Sequence, residues 1–296
     1  MQYSPNNAIP YISIVDAGTI ELIRSFGVTI VSSGDLVGKF EAHLSMEDWA
    51  SHKEAAVVMQ MVKDETFKEV SRRIKNGENP REVEIQAFMH KLMREENMFW
   101  GDGPIVAINE HAADPHFEPT DENSFAMKKG DLLLLDLWAK KNRPGSIFYD
   151  ITWMGFIDDS VPQKLESFFQ IIARARDAAL ALIKQRFTHN QPLHGWEVDD
   201  ACRNVVKEAG LEKYFTHRTG HNIGEEVHGN GVHIDNLETK DGRLILPGTC
   251  FSIEPGLYMP DDKIGFRTEI DVFVTDEGKV DVAGPIQQKV IPILTL

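Results

Sequence analysis

The sequence predicts an α+β fold made of two pseudo-symmetric halves, each with two helices followed by strands. Three observations support this prediction. The order helix, helix, strands occurs twice among the 296 residues. A glycine precedes a strand carboxylate by the same distance in both halves, as Gly130 precedes Asp136 and Gly248 precedes Glu254. No linker or low-complexity segment separates the halves, which indicates one duplicated unit.

Capping and apolar spacing predict the helices of the first half. Ser45 and Asp48 have the spacing of a capping box, so a helix is expected to begin there. Apolar residues then fall on one helical face until Asn76 and Gly77 end the helix. Pro80 opens a second helix with the same apolar spacing.

Apolar runs rich in strand-forming residues predict the strands. An entry strand is expected at residues 26–31. The other strands of the first half are expected at residues 104–109, 131–139 and 146–157. In the second half, helices are expected at about 161–187 and 196–210, and strands at 249–258 and 266–274.

Composition limits the classes of function. Acidic residues outnumber basic ones by 46 to 31, which gives a net charge of −15. Phosphate backbones and anionic membrane surfaces repel such a chain, so neither nucleic acid nor a membrane is an expected partner. The chain has two cysteines, and no leader-like or membrane-spanning stretch is recognisable. We therefore expect a cytoplasmic protein.

Four carboxylates interrupt the apolar strands: Asp136, Asp150, Glu254 and Glu269. Taken singly, each could simply end a strand or lie at a turn. Packing of the halves about a pseudo-twofold axis would bring them together, where like charges about 4 Å apart repel by about 4 kcal/mol even at an effective dielectric of about 20. Two divalent cations would balance them. Shared protons or arginine are the alternative, but Arg267 is the only arginine nearby in sequence.

Histidines cluster in one glycine-rich segment, at His217, His221, His228 and His233. Such glycine density argues against a helix and for close approach of the backbone to another group. A solvated histidine-rich loop is the alternative. An oxygen-rich site with one imidazole nitrogen suits Mn²⁺ or Co²⁺, with Zn²⁺ and Fe²⁺ as alternatives. His111, His189 and His194 are expected on the surface.

Five motifs in order resemble a known family: PHFEPT (115–120), DLWAKKNRPGSIFYDITW (136–153), HRTGHNIGEEVHGNG (217–231), SIEPGLY (252–258) and GFRTEID (265–271). The family is the pita-bread metallopeptidases, which include methionyl aminopeptidase, aminopeptidase P and prolidase. The resemblance implies the pita-bread (creatinase/aminopeptidase) fold, a curved and largely antiparallel sheet covered by helices. It also implies two metal ions, with the ligands Asp136, Asp150, His221, Glu254 and Glu269.

The resemblance implies further roles around the metal ions. Glu254 would relay a proton, His228 would contact the substrate carbonyl oxygen, and His116 would lie near the leaving nitrogen. His217 and Arg267 would support the site. Lys240 falls where prolidases place an arginine for the substrate carboxylate, although a solvated loop lysine is an equal alternative.

The motifs are more similar to the Xaa-Pro peptidase branch than to the methionyl branch. The predicted function is therefore hydrolysis of the N-terminal peptide bond of peptides, most of all Xaa-Pro. Alternatives are methionyl aminopeptidase activity, a catalytically inactive pita-bread interaction module, and a metal-free creatinase-like hydrolase. The family also implies a homodimer.

Three features depart from the family pattern. The connection between Asp136 and Asp150 is enlarged, and Trp153 stands where many members have arginine. Only about 41 residues precede the matching region, whereas aminopeptidase P and prolidase carry a substantial N-terminal domain. Residues 1–41 are expected to be the remnant-like end of such a domain, and residues 42–296 the catalytic domain.

Overall fold

Six helices and eleven strands form the fold, and a computed structural model describes them over residues 1–296. The helices are α1 (Ala17–Ser25), α2 (Gly34–Glu41), α3 (Met46–Lys75), α4 (Glu82–Glu95), α5 (Gln163–Thr188) and α6 (Gly195–Glu208). The strands are β1 (Met98–Phe99), β2 (Ile105–Ile108), β3 (Leu132–Lys141), β4 (Tyr149–Phe156), β5 (Asn222–Ile223), β6 (Cys250–Ile253), β7 (Gly256–Met259), β8 (Ile264–Arg267), β9 (Ile270–Val274), β10 (Val280–Val282) and β11 (Ile291–Pro292). None of the helices has both the length and the apolar character that a membrane span requires.

Helices α3 and α4 begin close to the predicted positions. The hydroxyl of Ser45 accepts a hydrogen bond from the Asp48 N–H, and the Asp48 carboxylate accepts one from the Ser45 N–H, so the capping box is formed. Helix α3 ends at Lys75, one residue before the predicted stop. In α4 the apolar face is fully buried at Ile85 and Met89.

The sheets are largely antiparallel. In the first sheet the strand order is β1-β3-β4-β11, with β2 also paired to β3, and only β4 and β11 run parallel. The second sheet has the order β10-β9-β6-β5, and β7 pairs with β8. The halves meet where Thr152 O accepts from the Glu269 N–H at 3.3 Å and Asp271 accepts from the Asp150 N–H at 2.8 Å. The predicted architecture of two helical pairs and antiparallel strands is confirmed.

The two halves place their acids differently along the strands. Asp136 and Asp150 lie within β3 and β4. In the second half β6 ends before Glu254 and β7 begins after Pro255, which has no N–H to donate to a sheet. Glu269 lies immediately before β9. Each predicted strand of the second half is therefore two strands with a carboxylate at the break.

Equivalent glycines support the duplication. Gly130 precedes β3 with a φ of 95°, and Gly248 precedes β6 with a φ of 81°. Glycine adopts this left-handed region without the steric cost that a side chain would add. The spacing that predicts the repeat thus corresponds to the same tight turn before β3, which carries Asp136, and before β6, which ends one residue before Glu254.

Apolar clusters cover both faces of the first sheet. Along β3, Leu133 and Leu135 belong to the cluster beneath α3 and α4, whereas Leu132 and Leu134 belong to the cluster beneath α5 and α6. Successive side chains of a strand point to opposite faces. Asp136 continues the even-numbered row, so β3 directs it toward the second half of the chain.

The predicted entry strand at residues 26–31 is wrong. The segment between α1 and α2 has no regular structure and pairs with no strand. Val28 and Val31 are 53% and 70% exposed. An apolar, β-branched run forms a strand only where a neighbouring strand or an apolar surface covers it, and neither is present here.

The predicted boundary at residue 42 falls between α2 and α3. Residues before it contact loops of the second half. The Tyr11 hydroxyl lies 3.3 Å from the Asp241 carboxylate, and Asn230 donates to Glu41 at 3.2 Å. The assignment of residues 1–41 to an N-terminal domain stays a prediction.

Candidate metal centre

Strands β3 and β4 bring the first two acids to one face. In their antiparallel register Asp136 pairs with Thr152, and Trp138 pairs with Asp150. Because paired residues project to the same face, the two carboxylates are diagonal neighbours. Asp136 is 7% exposed and Asp150 is 4% exposed. Charges buried to this extent need partners.

Residues of the second half reach the same place. The Nε2 atom of His221 lies 3.3 Å from Glu254 Oε1 and 3.7 Å from Asp150 Oδ2. One potential ligand atom from each of Asp150, His221 and Glu269 lies within 4.8 Å of the others. Both halves therefore contribute to one cluster of acids with a histidine.

The cluster opens onto a cavity of about 400 Å³. Every predicted metal ligand lines this cavity: Asp136, Asp150, His221, Glu254 and Glu269. Four other predicted site residues line it as well: His116, His217, His228 and Arg267. The remaining wall includes four apolar side chains, those of Ile105, Phe117, Trp138 and Val227. Most of the residues that line the cavity are therefore polar or charged.

Arg267 supplies positive charge to the cluster. Its Nη2 donates to Asp136 Oδ2 at 2.5 Å, and its Nε donates to the Thr152 hydroxyl at 3.1 Å. That hydroxyl in turn donates to Glu269 Oε2 at 2.9 Å. One guanidinium pairs directly with one of the four acids and leaves the others without an equivalent partner.

The unpaired acids have raised pKa values. Burial, followed by the charge of Asp136, raises the pKa of Asp150 well above its usual range. Burial and the charge of Asp150 do the same for Glu269. Burial raises the pKa of Glu254 to about 7, although the nearby Arg267 opposes the change. These raised pKa values indicate that the positive charges of the protein do not balance the negative charge of the acids.

Two buried oxygen atoms of the cluster have no hydrogen-bond partner, Asp150 Oδ1 and Glu269 Oε1. Such atoms are costly in a folded protein unless a water or an ion satisfies them. The Nδ1 atom of His221 lies 3.3 Å from the Asn222 carbonyl oxygen, which leaves Nε2 free to bind a metal. Carboxylate oxygens with one imidazole nitrogen match the donor preferences of divalent transition metals. The residues therefore fit a divalent cation.

Asp271 and His52 lie behind the cluster and were not predicted. Asp271 Oδ2 accepts from the Asp150 N–H at 2.8 Å and lies 3.5 Å from His52 Nε2. His52 Nδ1 contacts the Phe148 carbonyl oxygen, and both side chains are fully buried. Asp271 follows Glu269 by two residues, so strand alternation is the signal that could have identified it.

His217 joins Arg267 through a hydroxyl. His217 Nδ1 donates to the Arg218 carbonyl oxygen at 2.6 Å, so Nε2 accepts from the Tyr258 hydroxyl at 2.7 Å. The Tyr258 oxygen accepts from Arg267 Nη1 at 2.8 Å. Burial and the charge of Arg267 lower the pKa of His217 to about 3, so the ring is neutral. Tyr258 is a further residue that the sequence reasoning missed.

Two more histidines reach the cavity from loops. The His228 ring meets the His221 ring edge-on, with centroids 4.2 Å apart. His116 lies on the exposed loop before β3, where its backbone N–H donates to the Asp114 carboxylate at 3.0 Å. Both side chains line the cavity beside the acids.

Lys240 is the predicted site residue that does not reach the cavity. Its Nζ lies over the Trp196 ring at 4.5 Å. The carboxylate of Asp235 accepts three backbone N–H groups of the residues that follow it and folds a tight turn. This turn brings Glu238 to the cavity wall, where it lies 3.9 Å from Arg218, and leaves Lys240 outside. The expectation for Lys240 is not supported by its position.

One of the three histidines expected on the surface is largely buried. The His111 side chain is 16% exposed, and its Nδ1 lies 2.8 Å from the Glu82 carboxylate. The His111 ring therefore lies against Glu82, a fully buried acid at the start of α4. His189 is exposed, as expected, and His194 is half-buried.

Comparisons with known proteins agree with this geometry. The profile of metallopeptidase family M24 matches residues 52–276. The chain is 35% identical over 195 residues to a probable dipeptidase PepE of Mycobacterium tuberculosis, covering 64% of this chain and 46% of that protein. It is 30% identical over 206 residues to an Xaa-Pro dipeptidase of Pyrococcus furiosus, covering 68% and 53%. The chain thus spans about half the length of these curated relatives.

Solved structures share the fold. Dipeptidase PepE of Mycobacterium ulcerans superposes with a TM-score of 0.72 at 25% identity, covering 94% of this chain and 69% of that chain. An X-Pro aminopeptidase of Thermotoga maritima gives a TM-score of 0.74 at 23% identity, covering 94% and 72%. The pita-bread fold expected from the motifs is confirmed. Because the family profile spans most of the chain, this protein belongs to metallopeptidase family M24.

Proposed function

We propose that this chain hydrolyses the N-terminal peptide bond of peptides with two divalent cations, and that its preferred bond is Xaa-Pro. One observation carries the proposal. Acids from both halves converge with His221 on one cavity, where Asp150 and Glu269 each keep a buried oxygen without a protein partner. Family membership and the relatives named dipeptidase and Xaa-Pro dipeptidase support the same class of reaction.

Five side chains would hold the cations: Asp136, Asp150, His221, Glu254 and Glu269. Mn²⁺ or Co²⁺ suits this oxygen-rich set best, with Zn²⁺ and Fe²⁺ as alternatives. When bound, such cations polarise the scissile carbonyl and make a water more acidic. Arg267 would hold the Asp136 carboxylate in place, because the two side chains form a buried ion pair.

Asp136 and Glu254 would act on different groups of the substrate. The carboxylate of Asp136 would attract the free α-amine of the peptide, which restricts cleavage to the first residue. Glu254 would accept a proton from the attacking water and pass it toward the leaving nitrogen.

His228 would act on the carbonyl oxygen of the scissile bond, and His116 would act on the leaving nitrogen. His228 would donate a hydrogen bond to the carbonyl oxygen as it becomes negative. His116 would assist the leaving nitrogen, which in an Xaa-Pro bond is a tertiary amide that must gain a proton before it departs. His217 would hold Arg267 through Tyr258. Lys240 has no part in this proposal.

A substrate panel tests the proposal. Purified protein loaded with Mn²⁺ or Co²⁺ is given Ala-Pro, Ala-Pro-Ala and Met-Ala-Ser, and released amino acids are quantified. We expect cleavage of one or both proline peptides and little of Met-Ala-Ser. Preference for Met-Ala-Ser would favour methionyl aminopeptidase activity instead. No release from any peptide, with His221→Ala protein as the blank, would favour an inactive interaction module.

We further propose a cytoplasmic homodimer without nucleic acid or membrane partners. Two free, buried cysteines are consistent with a reducing compartment, and the net charge of −15 opposes binding to anionic polymers. Light scattering tests the dimer, and cell fractionation tests the location.

A further inference from the structure

The loop that carries His116 has little regular structure. Between β2 and β3 it contains only a short turn of 3₁₀-helix, His111–Ala113. The loop nevertheless brings His116, Phe117 and Glu118 to the cavity wall. A loop of this kind needs contacts with a rigid element to keep a side chain in one place.

A single buried carboxylate joins the end of β2 to Phe125, in the second half of this loop. Glu82, at the first position of α4, is fully buried. Its Oε1 accepts from the Ile108 N–H at 2.7 Å, and its Oε2 accepts from the Phe125 N–H at 2.8 Å. His111 Nδ1 lies 2.8 Å from Oε2 and 3.0 Å from Oε1, which places a third donor on the same group.

The His111 ring also stacks between two phenylalanines. Its centroid lies 4.0 Å from that of Phe117 and 3.8 Å from that of Phe125, with interplanar angles of 20° and 25°. Phe117 is the residue after His116. Movement of His111 would therefore be transmitted directly to the backbone that carries His116.

We infer that His111 is a positioning residue, which joins Glu82 to Phe117 and thereby fixes His116 at the cavity. The consequence for catalysis rests on the proposed function, in which His116 assists the leaving nitrogen. His111 itself does not line the cavity that holds the four acids of the metal centre. The lining residues of this loop begin at Pro115.

Two substitutions separate the contacts of His111. His111→Phe keeps an aromatic ring between the phenylalanines but removes the bond to Glu82. His111→Ala removes both contacts. His189→Ala is the matched control, because His189 is exposed and its Nδ1 contacts only a carbonyl oxygen of its own helix.

Leaving-group dependence distinguishes positioning from a general structural defect. The variants are assayed with Ala-Pro and with alanine 4-nitrophenyl ester, whose leaving oxygen needs no proton. For His111→Ala we expect kcat on Ala-Pro to fall by about 10-fold or more and kcat on the ester to change by less than about twofold. His111→Phe should show a smaller loss with the same selectivity. If His111→Ala does not fold, the selectivity of His111→Phe decides alone.

A double substitution provides the second kinetic readout. If His111 acts through His116, His111→Ala combined with His116→Ala should be no slower on Ala-Pro than His116→Ala alone. Equal losses on both substrates, or additive losses in the double variant, would overturn the inference.

Hydrogen exchange tests the inference independently of activity. Amides of residues 112–124 should exchange faster in the His111 variants than in wild type, with no change in α5. If wild-type protein cleaves neither substrate, the proposed function fails and exchange alone decides the positioning role. Unchanged exchange in this loop would then overturn it.

Discussion

The guanidinium of Arg267 lies 2.5 Å from the carboxylate of Asp136, with the two side chains only 4% and 10% exposed. Thr152 extends this pair to Glu269, because its hydroxyl contacts both Arg267 and the Glu269 carboxylate. The structure thus pairs one of the four converging acids directly with a guanidinium. The remaining negative charge is what the proposed cations would balance.

Removal of the Arg267 side chain should destabilise the metal-free protein more than the metal-bound protein. Breaking a buried ion pair leaves an uncompensated charge and costs about 3–5 kcal/mol, so Arg267→Met should lower the free energy of unfolding of metal-free protein by this amount. Saturating Mn²⁺ should recover part of the loss, because the cation compensates Asp136. Urea denaturation with and without Mn²⁺ measures both values.

Arg143→Met is the control for that experiment. Arg143 pairs with Glu54 where both side chains are more than half exposed, at 54% and 51%. Such pairs contribute about 0–1 kcal/mol. Equal destabilisation by Arg267→Met in the presence and absence of Mn²⁺ would contradict the role given to the cations.

Loss of Asp271 should weaken metal binding without removing a ligand. Asp271 fixes the backbone of Asp150 through one hydrogen bond. Partners that orient metal ligands typically contribute about 10- to 100-fold in affinity, so Asp271→Ala should weaken Mn²⁺ binding by that factor. Asp271→Asn keeps an oxygen acceptor and should retain most of the affinity. Competition with a fluorescent chelator measures the constants, and unchanged affinity in Asp271→Ala would exclude this role.

Glu254 should make the stability of metal-free protein depend on pH. Burial raises its pKa from 4.5 to about 7, so between these values the folded protein holds a proton that the unfolded chain has lost. The contribution of Glu254 to stability is therefore fully favourable below pH 4.5 and decreases as the pH rises through 7. Glu254→Gln should raise the free energy of unfolding at pH 8 by on the order of 1–3 kcal/mol, and hardly change it at pH 4.

The same substitution should abolish turnover, because glutamine cannot accept a proton. Denaturation of wild type and Glu254→Gln at pH 4 and pH 8, without metal, gives the stability difference. An equal difference at both pH values would show that the charge of Glu254 is not the cause. Full hydrolytic activity in Glu254→Gln would remove it from the proton relay.

His228→Ala should slow the reaction without releasing metal. Loss of one oxyanion donor in a hydrolase lowers turnover by about 10²-fold or more, and this is the loss expected in kcat. Metal content should equal that of wild type, because His228 is not among the proposed ligands. Steady-state kinetics and elemental analysis check the two parts. Loss of metal together with activity would instead assign His228 to the ligand set.

Much of the fold and the acidic cluster could be predicted because their signals are local. The capping box at Ser45 marks the start of α3, and Gly130 and Gly248 mark the starts of β3 and β6. Asp136 and Asp150 stand out as charges within apolar strands. Their convergence with Glu254 and Glu269 follows from the duplication.

Other features depend on contacts that no short segment contains. Thr152 and Asp271 gain their roles only when the two halves meet at β4 and β9. Lys240 matches the family spacing, but the turn held by Asp235 directs it to Trp196. His111 looks like a surface residue until α4 brings Glu82 against it.

Calorimetric titration of metal-free protein with Mn²⁺ tests the central claim most directly. The account predicts saturation at two ions per chain, with at least one ion lost in Asp150→Asn and in Glu269→Gln. Absence of saturable binding, or the same stoichiometry in wild type and both variants, would contradict it.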